Sequence, residues 1–344
     1  MLLYYSISLV TDASPMLPRL LCPFSLMFSL LLFAAGAAQA EVRVLTSIKP
    51  LQLIAAAVQD GVGEPEVLLP AGASPHHYAL RPSDMRRVQE VDLLYWIGPD
   101  MESFMPRVLA TREKPSVAVQ SLPDMTLRHF GEDHGHDHDH DHDHDHDHDH
   151  DHGHEAQAQA APDEHDHDHR PGSLDAHLWL SSANARVIAA RMAADLAKAD
   201  PANAARYQAN LASFGKRLDA LEPSLQAQLK PLADKPYFVF HEAFDYFEAA
   251  YGLKHVGVFS VASEVQPGAR HVAAMRARLQ EVGPSCVFSE PPLRPRLAET
   301  LTAGLPATLA ELDAMGAAAP VSADGYQHML QTLADGFSGC LGKL

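Results

Sequence analysis

From His134 to His154 the chain reads H-G-H-D-H-D-H-D-H-D-H-D-H-D-H-D-H-D-H-G-H, and E-H-D-H-D-H follows at Glu164–His169. Nothing in this run buries apolar area, so no core can be built from it. Whatever folds must therefore fold from the sequence on either side. The run is a dense array of imidazole and carboxylate, the donor set favoured by zinc and its neighbours. It accounts for most of the acidity: residues 131–169 hold 15 acids and no Lys or Arg. Without those 15, the 44 acids fall to 29 against 26 bases, a net of −3 rather than −18. Nothing in such a scaffold favours nucleic acid, which would need a basic face.

The flanking sequence alternates short apolar runs with helical patterns. Strands are expected at Val42–Ile48, Glu66–Leu69, Asp92–Ile97 and Ser116–Val119. Helices are expected near Leu51–Gln59, Pro82–Glu90 and Glu102–Ala110. After the run comes a helical stretch, Ser182–Leu229, with Pro201 at a helix start and apolar residues at Leu211, Phe214, Leu218, Leu221 and Leu225. The rhythm then resumes, with strands at Tyr237–His241, Val256–Val261, Cys286–Ser289 and Thr308–Leu312. Helices are expected at Ala243–Tyr251, Gly268–Glu281, Arg294–Thr302 and Ser322–Gly336. The fold class is α/β: two lobes with parallel sheets, a long rigid linker helix between them, and a cleft at the strand C-terminal ends. The expected divisions are 1–40, a signal peptide; 41–199, the first lobe, carrying a disordered His/Asp loop at 131–171; 200–232, the linker; and 233–344, the second lobe.

Residues 1–40 read as a secretory signal. Arg19 precedes an apolar run from Phe24 to Ala38, short for a membrane span of about 20 residues, which favours a cleaved signal over the rival reading, a membrane anchor. Ala38-Gln39-Ala40 matches a cleavage site, which makes Glu41 the first mature residue of an exported chain. Met16 is an alternative start to Met1. Cys22, after the large Leu21, is a poor lipid-attachment site. Export leaves Cys286 and Cys340, which an oxidising compartment would pair; they lack the C-x-x-C spacing of a zinc site.

Seven histidines lie outside residues 129–169. His76 and His77 follow P-A-G-A-S-P beyond the second strand, His177 opens H-L-W-L, and His241 ends Y-F-V-F-H. Asp313 ends T-L-A-E-L-D. One imidazole from each of the three stretches, with Asp313, would make a four-coordinate set suited to Zn²⁺. His255, His271 and His328 read as ordinary surface or helix histidines. Glu242 should point away from the face of His241, as a support behind the ligands or a structural residue, because adjacent strand residues face opposite sides. A zinc hydrolase with Glu242 as base is the enzymatic alternative. The sequence has no H-E-x-x-H, and Asp313 would close the position a catalytic water needs. A free zinc buffer without a transporter partner is the other.

The stretches P-A-G-A-S-P-H-H-Y-A-L-R-P-S-D, W-I-G-P-D-M-E-S-F-M, D-A-H-L-W-L-S, F-V-F-H-E-A-F-D-Y-F, V-Q-P-G-A-R and C-V-F-S-E-P-P-L-R-P occur in that order. Together they resemble the zinc-uptake branch of the metal-binding periplasmic proteins that serve ATP-binding-cassette importers, over essentially the whole mature chain. The resemblance implies no enzymatic activity. It implies Zn²⁺ as cargo, an inner-membrane permease as partner, a monomeric chain, a Cys286–Cys340 bond, and His76, His177, His241 and Asp313 as ligands. His76 rather than His77 is implied because the family ligand directly follows the proline. Manganese-type relatives place a harder carboxylate where His241 stands, so the nitrogen favours zinc. The His/Asp run would then concentrate scarce zinc, buffer abundant zinc, or be an inert insertion.

Overall fold

The computed structural model describes residues 41–131, 172–260, 269–291 and 296–344. The signal-like segment and the His/Asp run lie outside them. Two four-stranded sheets are present, each wholly parallel. The first has the order β2-β1-β3-β4, from β1 (Val44–Thr46), β2 (Glu66–Val67), β3 (Leu93–Trp96) and β4 (Ser116–Ala118). The second repeats the pattern as β6-β5-β7-β8, from β5 (Tyr237–His241), β6 (Gly257–Ser260), β7 (Ser285–Ser289) and β8 (Ala307–Glu311). All eight expected strands form: β1 to β4 are shorter than expected by one to four residues, β5 matches residue for residue, β6 starts one residue late with Val261 outside the described residues, β7 starts one residue early, and β8 is shifted one residue toward the N-terminus. The central strands β1, β3, β5 and β7, such as L-L-Y-W in β3, are buried throughout, as befits strands covered on both faces, while the edge strands β2, β4 and β8 are partly exposed.

The first sheet carries α1 (Lys49–Gln59), α2 (Pro82–Glu90) and α3 (Met105–Leu109). Then follow α4 (Ser182–Ala199) and the 26-residue α5 (Ala204–Leu229), which one-turn 3-10 segments flank at Pro201–Asn203 and Lys230–Leu232. The second sheet carries α6 (Asp245–Tyr251), α7 (Ala269–Val282), α8 (Arg296–Thr302) and α9 (Gly325–Leu341). Local chemistry sets the ends. Ser181 caps α4 by accepting the Asn184 N–H at 3.3 Å, Pro82 opens α2, and Gly252 closes α6 in the left-handed region at φ 71°.

The sheets do not have separate cores. α1 is buried on nearly every side, against α4, α5 and α9. The last helix thus belongs by sequence to the second half and by packing partly to the first. One apolar cluster runs from Val44 and Leu45 through Phe214 and Leu218 of α5 to Phe288 and Phe337. A smaller cluster, including Phe238, Phe259 and Leu279, lies beneath α7 and α8. The expected end of α9 at Gly336 falls short by five residues. Gly336 and Gly339 continue the helix, carried by burial of Phe337, Cys340 and Leu341. Cys340 is disulfide-bonded to Cys286 of β7, with Cα atoms 6.1 Å apart.

Candidate metal centre

In both sheets the strand order reverses at the first strand, where a crevice opens beyond the C-terminal edge. His241 is the last residue of β5 and stands at that point of the second sheet. His76 arrives on the loop after β2. Turn bonding from Ala73 N–H to the Pro70 carbonyl folds this loop, and Tyr78 anchors it by donating to Asp84 Oδ2 at 3.0 Å. His177 lies just before the 3-10 turn Leu178–Leu180. Asn184 of α4 pins that turn by donating to the carbonyls of Leu178, at 3.1 Å, and Thr126, at 2.9 Å.

These three segments bring His76, His177 and His241 together. Each offers a ring nitrogen, and the three atoms lie within 4.8 Å of one another. The ring centroids are 5.4, 5.4 and 4.8 Å apart. All three rings are buried, at 5%, 2% and 9% exposure. His77 is exposed beside them, its centroid 6.4 Å from that of His76.

Two carboxylates orient the rings. Asp175 Oδ1 is 2.7 Å from His177 Nδ1 and accepts the His177 backbone N–H at 2.9 Å. Glu290 Oε1 is 2.9 Å from His241 Nδ1. Each meets its ring at Nδ1, the arrangement by which carboxylates fix the tautomer of metal-binding imidazoles. Complete burial pushes the Asp175 carboxyl well above its ordinary range, and the charges of Asp245 and Glu242 add to the rise. A dication held by His177 would act in the opposite sense.

Asp313, the fourth expected ligand, follows β8 but is not in the group of three. Its Oδ1 accepts the Met315 N–H at 3.0 Å and its Oδ2 the Ala317 N–H at 2.7 Å. The expectation for His255 as a surface histidine is corrected: it is 7% exposed and hydrogen-bonded to Glu248. Burial lowers its pKa, but the hydrogen bond and charge of Glu248, with Asp245 and Glu242, outweigh that and raise it to about 9. His271 Nε2 lies 2.9 Å from the Phe259 carbonyl oxygen of β6. His328 is exposed on α9.

Direct hydrogen bonds tie the two halves beside the site. Trp179 Nε1 donates to the Ala314 carbonyl at 2.8 Å, and Tyr326 donates to the Trp179 carbonyl at 2.7 Å. On the other flank Tyr246 accepts from Arg128 N–H and donates to the Asp175 carbonyl, both at 2.9 Å. The sequence reading did not single out Asp175, Glu290, Trp179 or Tyr246. The spacing D-x-H was a usable sign for Asp175, since an Asp side chain readily turns back onto the backbone two residues on. Glu290 is visible only once β7 is known to lie beside β5: the register Val239↔Phe288 carries forward to His241 opposite Glu290.

Comparison with known proteins agrees with this geometry. The model of the family described as zinc-uptake complex component A, periplasmic (ZnuA), matches residues 44–340. The high-affinity zinc uptake system protein ZnuA of Brucella suis is 41% identical over 309 residues, covering 87% of this chain and 92% of that protein. Its counterpart in Yersinia pestis is 38% identical over 319 residues, 92% of this chain and 96% of that one. Among solved structures, a ZnuA crystal structure superposes with a TM-score of 0.65 at 22% identity, over 86% of this chain and 99% of the other. The Pseudomonas aeruginosa protein FpvC in complex with Mn²⁺ gives 0.68 at 22%, over 88% and 99%. These two establish the fold alone. With a family model spanning both sheets and relatives near 40% identity over nine-tenths of the sequence, the chain belongs to the periplasmic zinc-uptake component A family, whose members are binding proteins and not enzymes.

Proposed function

We propose that this chain captures Zn²⁺ in the periplasm and delivers it, as a monomer, to the permease of an inner-membrane ATP-binding-cassette importer. The ion is cargo. His76, His177 and His241 supply three nitrogens, and the carrying observation is that these buried atoms lie within 4.8 Å of one another. Three neutral imidazoles suit zinc, at Zn–N distances of about 2.0–2.1 Å. Asp313 supplies the fourth ligand. A carboxylate oxygen has a second lone pair, so accepting a backbone N–H does not stop it from ligating. Asp313 also follows β8 at the edge of the second sheet that carries His241.

The leader 1–40 is removed after Ala40, leaving lobes at 41–199 and 233–344 around a connector at 200–232. Release of zinc falls to the transporter, because a connector packed against α1, α4 and α9 and the hydrogen bonds of Trp179, Tyr326 and Tyr246 oppose a wide opening. The His/Asp run gathers zinc at low supply. Residues on either side of it are already paired, Phe130 N–H to Ser173 and Gly172 N–H to Phe130, so it extends from a closed base that leads to His177. Its sites are weaker than the cleft, since nothing in its composition can build a core to hold ligands in place before the ion arrives.

The test is chelator-competition titration and metal analysis of the mature chain, and of variants with each of His76, His177, His241 and Asp313 changed to Ala. Loss of one tight zinc in each histidine variant is expected. Retention of that zinc in all three would end the proposal. Deletion of residues 132–169 should leave the tight site and remove several weak ones.

A further inference from the structure

An exposed imidazole, His77, directly follows the buried ligand His76. Its ring centroid is 6.4 Å from that of His76, only a little further than the 4.8–5.4 Å that separates the rings within the centre. A side-chain rotation is enough to close the difference. Among the described residues no hydrogen bond or ion pair holds the His77 ring, so nothing opposes that rotation. Its backbone, by contrast, is fixed on both sides. Pro75 and His76 are buried before it. After it, Asp84 Oδ2 accepts from the Tyr78 hydroxyl and from the Arg81 N–H, both at 3.0 Å. His77 is thus a free ring on an anchored chain, at the solvent side of the three ligands.

We propose that His77 is the entry and exit ligand of the centre: it binds hydrated Zn²⁺ at the surface, passes it to His76, and takes it back during release. The inference rests on the three-histidine site proposed above. Those three rings are 2–9% exposed, so an ion must shed water to reach them. Stripping a dication before a ligand replaces its water is costly. His77 removes that step. One water leaves the ion as a His77 nitrogen binds, and His77 leaves in turn as a buried imidazole takes its place. Zinc passes through five-coordination, so the incoming ring joins before the outgoing one departs. Once the ion is on His77, its next step is intramolecular and runs at high effective concentration. A ligand used only along the path lowers the barrier equally in both directions. It therefore changes the two rates and leaves the affinity alone.

The experiment is stopped-flow zinc uptake and chelator-driven zinc release by the mature chain, with equilibrium competition on the same samples. His77→Asn removes the imidazole and keeps a polar side chain. It should slow uptake and release by the same factor, about tenfold, while the dissociation constant stays within about twofold of the parent. His77→Asp returns a zinc-binding oxygen to the same place and should recover part of both rates. Unchanged rates in His77→Asn would overturn the inference. So would a dissociation constant raised through faster release alone, which would make His77 a resident ligand or a prop for the loop. A parent chain without tight zinc would instead overturn the proposed function, and this inference with it.

Discussion

Asp175 Oδ1 holds His177 twice, at 2.7 Å from its Nδ1 and 2.9 Å from its backbone nitrogen. One buried oxygen thereby sets both the ring's tautomer and the chain's path into the ligand position. Asp175→Ala is expected to weaken zinc binding about 10- to 100-fold, the usual cost of losing such a partner. Competition against a chelator of known affinity measures it. An affinity within twofold of the parent would show that His177 needs no such support.

The hydrogen bonds between the halves make a second expectation. Trp179→Phe keeps the aromatic ring but removes the donor to the buried Ala314 carbonyl, one residue beyond Asp313. Leaving a buried acceptor unmet costs about 1–3 kcal/mol. Tyr326→Phe removes the donor to Trp179 itself. Both variants should lose stability in urea and release zinc faster in stopped-flow chelation. Because they share Trp179, the double variant should fall short of the sum of the two. Unchanged release rates would detach these bonds from cargo retention.

Glu102 is fully buried behind the Gly98 turn, where it accepts the Gly98 N–H at 3.0 Å. That turn needs glycine: φ is +150°, and a Cβ would lie 2.0 Å from the Gln120 side chain. Burial pushes the Glu102 carboxyl up to about 7, against hydrogen bonds from Ser47, Gly98 and Ile97 that lower it. Between the ordinary value of 4.5 and about 7 the unfolded chain ionises while the folded chain keeps its proton. Stability therefore falls as pH rises across that window, by about 3 kcal/mol in all, and levels off above it. Glu102→Gln should remove this slope, matching the parent near pH 4.5 and exceeding it at pH 8. Urea melts across that range test it; parallel curves for the two proteins would sink it.

Much of this fold was legible because both sheets are parallel. Buried strands read as continuous apolar runs, and turn residues separate them from helices, so β5 could be read residue for residue from Y-F-V-F-H. The three histidines were legible because His241 ends such a run, His177 opens the apolar L-W-L, and His76 follows the turn-rich P-A-G-A-S-P beyond β2. What escaped were relations that depend on sheet order and packing across the chain. Glu290 meets His241 only because β7 lies beside β5, and His255 is buried only because α6 folds Glu248 back toward it. Neither has a sequence period to announce it. The length of α9 was missed for a related reason. Gly336 and Gly339 argue locally for a stop, and burial of the final turn overrides them.

The last prediction separates stability from cargo binding. Cys286 stands near the start of β7, at the end of the strand away from Glu290, and its partner Cys340 is in the last turns of α9. The bond closes a 54-residue separation, so its loss should free the unfolded chain by about 4 kcal/mol. Both cysteines are buried, and Cys286 pairs in register with Tyr237, four residues before His241. Reduction should therefore lower the urea midpoint sharply while the folded chain keeps its tight zinc. A Cys286→Ala, Cys340→Ala double variant should behave alike, slightly worse for the lost sulfur packing. Saturating zinc should restore part of the lost stability in both, because the ion binds only the folded chain. A reduced protein that kept its midpoint would remove the bond from the forces holding the second sheet. One that stayed folded but lost its tight zinc would mean that this end of β7 governs the ligands after all.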